Sequence, residues 1–396
     1  MKEKKSIVIG VTGGIASYKA LDIVSRLKKK NYDVHVIMTE SATKFVTPLS
    51  FQSLSQNMVT IDMFNEPKVF EIQHISLAKK ADLMIIAPAT ANIIGKVANG
   101  IADDMLSTTI MACKSPVVFA PAMNTNMYAN PIVQDNIKKL KKYGYEFINP
   151  KSGRLACGDV GEGKLEDTEI IAEFLDSKLY SKKDLKGKNV LVTAGPTLAP
   201  IDPVRFITNK SSGKMGYSIA KEARDRGANV TLVSGPSNLE VPFGVEFLKV
   251  STNEEMFNAV KSNFDQQDII IKSAAVADFK PKEYSNHKIK KTEDDMSLKL
   301  TRDKDILKEL GKMKTNQVLV GFAAESRDVF ENAKGKLHRK NLDYIVANNI
   351  LSKDTGFASN DNMVTIISKD GKINSLPKMT KREVAENLFD IILKKI

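Results

Sequence analysis

Residues 6–39 read SIVIGVTGGIASYKALDIVSRLKKKNYDVHVIMT, and no other stretch limits the possible folds so strongly. SIVIGV is an unbroken apolar run of strand length, the pattern of a strand covered on both faces. A glycine turn follows, and then Ala20, Leu21, Val24 and Leu27 recur at helical spacing before a second strand, DVHVIMT. Two strands joined through a helix pair in parallel with a right-handed crossover. A parallel sheet needs helices on both faces, so this opening predicts an α/β architecture.

The alternation continues. Strands are expected at DLMIIAP (82–88), PVVFAPA (116–122) and YEFINP (145–150), with a closing helix over EDTEIIAEFLDSKL that ends at residue 179. This is the pattern of a doubly wound parallel sheet. YSKKDLKGK (180–188) is polar without an apolar period and reads as a linker. NVLVTAGP then opens a second, Rossmann-like α/β unit over 189–396, with a helix in KMGYSIAKEARDRG stopped by Gly227 and a further strand at NVTLVSGP. Later strands are expected at DIIIKSAAVA, QVLVGFAAE and DYIVANN, and a hairpin at MVTIISKDGKINSL. The insertion TLAPIDPVRFITNKSSG, absent from the first unit, separates the first strand of the second unit from its helix. Different loops at the strand ends suggest two different sites.

Composition excludes several classes. No run approaches 18 apolar residues, and the N-terminus has no credible cleavage site, so a cytoplasmic protein without membrane association is expected. The two cysteines, Cys113 and Cys157, have neither metal-site spacing nor the number of a disulfide framework. Cys113 lies beside strand-like apolar residues and reads as a structural thiol. The net charge of +12 raises nucleic acid as a partner, but 7% aromatic content without tryptophan or an aromatic-basic run argues against it. Anionic small molecules account for the excess equally well.

Candidate site residues of the first unit gather after the expected strands. Gly13 and Gly14 precede a helix where free amides favour a phosphate, and Ser17 adds a hydroxyl. Thr39, Ser41 and Thr43, then Thr90 and Asn92, then Ser107 and Thr108 follow later strands; each could serve only as a helix cap. The turn is not GxGxxG, and only Glu40 answers the acidic residue that a nicotinamide enzyme needs, so a dinucleotide oxidoreductase is disfavoured. His74 lies in EIQHISLAKKAD, Asn124 in PAMNTNMY, and Cys157 in GRLACGDVGEGKL, whose dense glycines predict an exposed, mobile loop.

TGGIASYK, HISLAKKADLMIIAPATAN, GIADDMLSTT, PAMNTNMY and GRLACGDVGEG together resemble the flavin-dependent cysteine decarboxylases. Over both units the chain resembles the bifunctional phosphopantothenoylcysteine decarboxylases/phosphopantothenate-cysteine ligases of bacterial coenzyme A biosynthesis. The resemblance implies a flavodoxin-like decarboxylase unit over 1–179 that binds FMN through Gly14, Ser17, Thr39, Ser41, Thr90, Asn92 and Ser107. It further implies that His74 is a base or polarising group, that Asn124 holds the substrate carboxylate, and that Cys157 is an acid. Oxidation of the cysteine moiety would give a thioaldehyde, which makes loss of carbon dioxide accessible because the product carbanion is an enethiolate. A thiol on a closing loop could then protonate that carbon. A flavin-binding regulatory module that had lost catalysis would lack one of these three residues, and all are present.

In the second unit Asn209, Lys210, Ser211, Ser212 and Gly213 precede a helix, a setting for a phosphate or an acyl phosphate. GKMG lacks the spacing of a P-loop. Asp278, Lys288, Lys290 and Lys291, then Lys336 and Lys340, fall on separate segments after strands and can converge on a triphosphate. By resemblance this is the ligase, which uses CTP and Mg²⁺ to activate 4'-phosphopantothenate as an acyl-cytidylate attacked by the amine of L-cysteine. Asn209 then belongs to the second half-reaction and Lys288 to the first. Ser273, Ala274, Asp278, Lys304, Asp305, Ile306, Leu307, Phe322, Lys336 and Lys340 match nucleotide-contacting positions. The metal ligands are not identified. The resemblance also implies a homo-oligomer, a dodecamer of decarboxylase trimers with dimeric ligase units.

Overall fold

A computed structural model describes residues 4–64, 72–290, 296–325, 329–349 and 359–394. The chain forms two compact units, Met1–Leu179 and Tyr180–Ile396. In the first, β1 (Ser6–Val11), β2 (Asp33–Met38), β3 (Val59–Thr60), β4 (Leu83–Ala89), β5 (Val117–Pro121) and β6 (Glu146–Phe147) make one sheet in the order β3-β2-β1-β4-β5-β6. Every pairing is parallel. All six residues of β1 are buried, as the unbroken apolar run requires.

The helices of this unit are α1 (Lys19–Lys29), α2 (Glu40–Thr43), α3 (Pro48–Ser55), α4 (Gln73–Lys80), α5 (Ala91–Ala98), α6 (Met105–Ala112), α7 (Thr125–Ala129), α8 (Pro131–Lys142) and α9 (Thr168–Leu179). Ile23, Val24 and Leu27 of α1 and Leu175 of α9 pack on one sheet face, while Ile93, Ile94, Leu106, Ile137 and Leu140 cover the other. Each such buried side chain contributes about 1.5–3 kcal/mol. The strand order reverses between β1 and β4, which opens a crevice beyond their carboxyl ends.

The expected strand over 145–150 pairs only at Glu146–Phe147, and the glycine-rich segment after it is an antiparallel hairpin, β7 (Lys151–Arg154) with β8 (Val160–Lys164). The mobile loop expected there is therefore corrected to a short turn, 155–159, closed by Leu155 N–H to Asp159 O at 2.8 Å. Gly158 serves the turn, with φ +94° and open space around it, whereas Gly161 and Gly163 answer close packing. A Cβ on Gly163 would lie 2.4 Å from the Met123 carbonyl oxygen, and one on Gly161 would lie 2.7 Å from Thr125 Cγ2.

The second unit contains β9 (Asn189–Ala194), β10 (Leu198–Pro200), β11 (Phe206–Thr208), β12 (Asn229–Ser234), β13 (Glu246–Lys249), β14 (Ile269–Lys272), β15 (Phe279–Pro281), β16 (Leu300–Arg302), β17 (Val318–Glu325), β18 (Tyr344–Asn349), β19 (Asp361–Asn362), β20 (Val364–Ser368) and β21 (Ile373–Ser375). Eight of these form a sheet in the order β13-β12-β9-β14-β17-β18-β20-β21, parallel up to β18 and antiparallel through the β20-β21 hairpin. Its helices are α10 (Lys214–Asp225), α11 (Asn253–Asn263), α12 (Ile306–Met313), α13 (Val329–Arg339) and α14 (Lys381–Ile392). The reversal lies between β9 and β14. The insertion folds as the β10-β11 hairpin, and β15 pairs with β16 as a second two-stranded ribbon.

Residues 180–188, expected to be a linker, are docked on the second unit. Leu185 is fully buried in its core, and Tyr180 Oη donates to Glu222 at 2.8 Å. Lys182 pairs with Glu386 and Asp390, and Lys183 Nζ donates to the Asp225 carbonyl. The strap is held by charge, which is why it shows no apolar period. Burial and the neighbouring Glu222 push the Tyr180 phenol up to about 12.

Candidate functional site

The first unit brings together the turn after β1 and the turns after β2 and β4. A Cβ on Gly13 would lie 2.3 Å from Ser41 Cβ, so this glycine lets the two turns touch; one on Gly14 would meet Thr90 Cγ2 at an ordinary 3.7 Å. Thr12 Oγ1 donates to Pro88 O at 2.7 Å and accepts from Thr90 N–H at 3.2 Å, tying β1 to the end of β4. Thr39 and Thr90 cap α2 and α5. Ser107 is fully buried and closes a capping box with Asp104 at the start of α6. Ser17 is also buried, and its hydroxyl donates inward to Gly14 O at 2.7 Å. Ser17 and Ser107 are thus buried with partners inside the unit, Gly14, Thr39 and Thr90 are half-buried, and Ser41 and Asn92 are exposed.

Asn124 and Cys157, 33 residues apart, meet at the hairpin tip. The Asn124 amide donates to Cys157 Sγ at 3.3 Å and to Asp159 Oδ2 at 2.8 Å, and the thiol donates to the same carboxylate oxygen at 3.4 Å. Asn124 Oδ1 meanwhile accepts from Asn126 N–H at 2.9 Å as the cap of α7, which fixes the orientation of the amide. His74 is half-buried in the first turn of α4, and among the described residues no hydrogen bond joins it to this pair. Cys157 is exposed, whereas Cys113 is half-buried with its thiol pKa pushed up by burial.

In the second unit a cleft of about 350 Å³ opens beyond the sheet reversal. It is lined by Asn209 and Gly213, by Ser273, Ala274 and Asp278 after β14, by Lys304 to Leu307 at the start of α12, by Phe322 of β17, and by Lys336 and Lys340. The Asn209 amide bridges the carbonyl oxygens of Ala275 and Val276 at 3.1 and 3.0 Å, joining the insertion to the end of β14. Lys340 Nζ pairs with Asp305 at 2.8 Å. Burial raises the Asp305 carboxyl, but Lys340 and the Lys308 N–H outweigh it and hold the group below the usual carboxylate range. Lys304 Nζ lies 4.2 Å from the Phe257 ring centroid.

Lys288 differs from the others. It is exposed and does not line this cleft. Its neighbour Ile289 is fastened to the β10-β11 hairpin, with Ile289 N–H donating to Asp202 at 3.2 Å and its carbonyl accepting from Arg205. Lys290 is exposed beside it, and Lys291 lies outside the described residues.

The comparisons with known proteins follow the division into units. Residues 1–180 match the Flavoprotein family, and residues 185–396 match the DNA/pantothenate metabolism flavoprotein C-terminal domain. The chain is 51% identical to the coenzyme A biosynthesis bifunctional protein CoaBC of Bacillus subtilis (strain 168), over 99% of this chain and 97% of that protein. The chain belongs to the CoaBC family. Identity to the Escherichia coli (strain K12) CoaBC is 42%, over 98% of this chain and 97% of that protein. A solved structure of the C-terminal domain of a CoaBC is 44% identical and covers 54% of this chain and 98% of that one, with a TM-score of 0.47. Family membership makes the chain a bifunctional enzyme of coenzyme A biosynthesis, with a decarboxylase and a ligase activity.

Two residues of these sites were not found from sequence. Asp159 shares its carboxylate between Asn124 and Cys157, and only its position in the ACGD run pointed to it. Lys272 ends a buried strand and lines the second cleft; a lone lysine closing an IIIK run carries no motif.

Proposed function

We propose that the first unit decarboxylates 4'-phosphopantothenoylcysteine with FMN, and that the second makes this substrate from 4'-phosphopantothenate and L-cysteine with CTP. The observation that carries the first half is the Asn124, Cys157 and Asp159 contact at the hairpin tip. The open glycine, hydroxyls and amides around the β1/β4 reversal suit an anionic phosphate and a polar-edged ring, so the residues present fit FMN. Gly14, Ser17, Thr39, Ser41, Thr90, Asn92 and Ser107 would hold it. When bound, FMN supplies the two-electron oxidation of the cysteine moiety and its reversal. His74 serves as the base or polarising group. Asn124 orients the carboxylate that leaves as carbon dioxide, and Cys157 delivers a proton to the carbon left behind.

In the ligase cleft, Lys336 and Lys340 draw in the triphosphate, and Asp278 and the segment Lys304 to Leu307 with Phe322 bound the nucleotide. The carboxylate of 4'-phosphopantothenate attacks the α-phosphorus and pyrophosphate leaves. The cysteine amine then displaces CMP from the acyl-cytidylate, with Asn209 at the carbonyl. Lys288 is assigned to the first step on its loop beside the β10-β11 hairpin. Mg²⁺ would arrive on the nucleotide phosphates, as this hard cation commonly does.

Exposed Ile15, Tyr18, Phe45 and Leu49 near the first crevice, and Val204, Phe206, Phe279 and Leu300 on the two ribbons, support homo-oligomeric contacts in both units, as the trimer-based dodecamer with dimeric ligases requires. No described helix is long and apolar enough to cross a membrane, and a cytoplasmic setting is proposed with these metabolites as partners.

Lys340→Ala tests the assignment of the two units. Ligation should fall about 100-fold, the scale of one lost charge-stabilising donor. Release of carbon dioxide from supplied 4'-phosphopantothenoylcysteine, without CTP, should be unchanged. Equal loss of both activities, in a variant that melts like the wild type, would contradict separate sites.

A further inference from the structure

Lys272 is the last residue of β14, at the sheet reversal of the second unit, and its side chain reaches into the cleft lined by Lys336, Lys340, Asp278 and Asp305. Its Nζ donates to the Ala274 carbonyl at 2.7 Å. Ala274 is held from the other side, its N–H donating to Thr193 Oγ1 at 3.2 Å. Among the described residues no carboxylate forms an ion pair with Lys272, because Asp305 is engaged by Lys340. Lys272 is half-buried, and an ammonium partly withdrawn from water beside two other lysines is unfavourable unless a polyanion enters.

We infer that Lys272 is a third phosphate-facing lysine of this cleft, and that nucleotide binding loads it with a proton drawn from solvent. The inference rests on the proposed CTP-dependent ligase reading. A bland alternative is that Lys272 only satisfies the Ala274 carbonyl; that role asks for no burial beside Lys336 and Lys340. Burial is the main cause that pushes the Lys272 amine down to about 8, and Lys340 and Lys336 add to it, while Asp305 and Asp278 oppose them. A triphosphate reverses the balance: its charge favours the ammonium, and the amine gains a proton as the nucleotide seats.

Isothermal titration of the full-length protein with CTP and excess Mg²⁺, at pH 8 in two buffers of different ionisation enthalpy, reads this proton directly. Free phosphate groups are already ionised at that pH, their second pKa being about 6. The wild type should take up about half a proton per nucleotide, the fraction missing from an amine titrating near pH 8. Uptake should fade by pH 6.5. Lys272→Arg should bind CTP without uptake, since a guanidinium is always charged. Lys272→Met should lose the uptake and bind about tenfold more weakly, as expected for a lost charge-assisted contact. CTP binding by the wild type without proton uptake, or uptake that persists in Lys272→Met, overturns the role of Lys272 alone. No CTP binding at all overturns the ligase reading and this inference with it.

Discussion

Cys157→Ala should lower decarboxylation of 4'-phosphopantothenoylcysteine by about 10³-fold, within the range for loss of a positioned general acid. The thiol is the only proton donor in the Asn124, Cys157 and Asp159 contact that can swing from its carboxylate partner toward a substrate carbon. Asn124 cannot replace it, because a neutral carboxamide is too weak an acid to give up a proton, and its oxygen already caps α7. Flavin content, read from the absorption spectrum, should match the wild type, since Cys157 lies on the hairpin turn and not among the glycine and hydroxyl turns of the crevice. Ligation should also be unchanged. Turnover within tenfold of the wild type would remove the thiol from the reaction. Full loss of flavin would instead give the hairpin a structural role.

The largest stability effect is expected at Arg226, the largest fully buried side chain among the described residues. Its guanidinium donates to Glu222 at 2.6 Å, to Asp390 at 2.5 Å, to Asp184 of the strap at 3.1 Å and to the Glu386 carbonyl at 2.9 Å, with the Phe389 ring beneath it. Arg226→Ala removes the centre of this arrangement and leaves the fully buried Glu222 with only the Tyr180 hydroxyl and the Arg382 guanidinium facing it. Arg382 lies 2.7 Å from Glu222 Oε2, but the alignment falls short of a hydrogen bond, so it compensates only in part. Breaking such a buried cluster costs about 3–5 kcal/mol, to be measured as a lower Tm or denaturation midpoint of the second unit. Arg226→Met with Glu222→Leu should recover part of the loss, because well-packed apolar replacements avoid the uncompensated charge. A loss below about 1 kcal/mol for Arg226→Ala would contradict this reading.

The same cluster gives the sign of a pH effect. Burial raises the Asp390 carboxyl, but Arg226 and Lys182 outweigh it and hold the folded-state value below the ordinary one. The stabilisation from Asp390 is therefore present above the unfolded carboxylate value, about 3.9, and is lost as pH falls through the folded value. Asp390→Asn should flatten the acid limb of an unfolding curve relative to the wild type.

Much of the fold was legible because parallel strands buried on both faces leave continuous apolar runs, as in SIVIGV, MIIA and the second unit's VLVTA. The β20-β21 hairpin was legible for the complementary reason, a turn at KDGK between apolar residues. The β7-β8 hairpin was not, since Gly161 and Gly163 sit in its strand to admit Thr125 and the Met123 carbonyl, a tertiary demand that resembles loop chemistry in one dimension. The strap was hidden because ion pairs and not apolar periodicity dock it. Of the candidate site, the strand-end residues of the second cleft were readable from position after strands. Asp159 and Lys272 were not, because their roles depend on partners far along the chain: Asn124 for one, Lys336 and Lys340 for the other.

The most direct test of the whole account is one incubation of the purified protein with 4'-phosphopantothenate, L-cysteine, CTP and Mg²⁺. Carbon dioxide and 4'-phosphopantetheine should appear together, in step with release of CMP and pyrophosphate. No consumption of CTP, or accumulation of 4'-phosphopantothenoylcysteine without carbon dioxide from flavin-loaded protein, would contradict it.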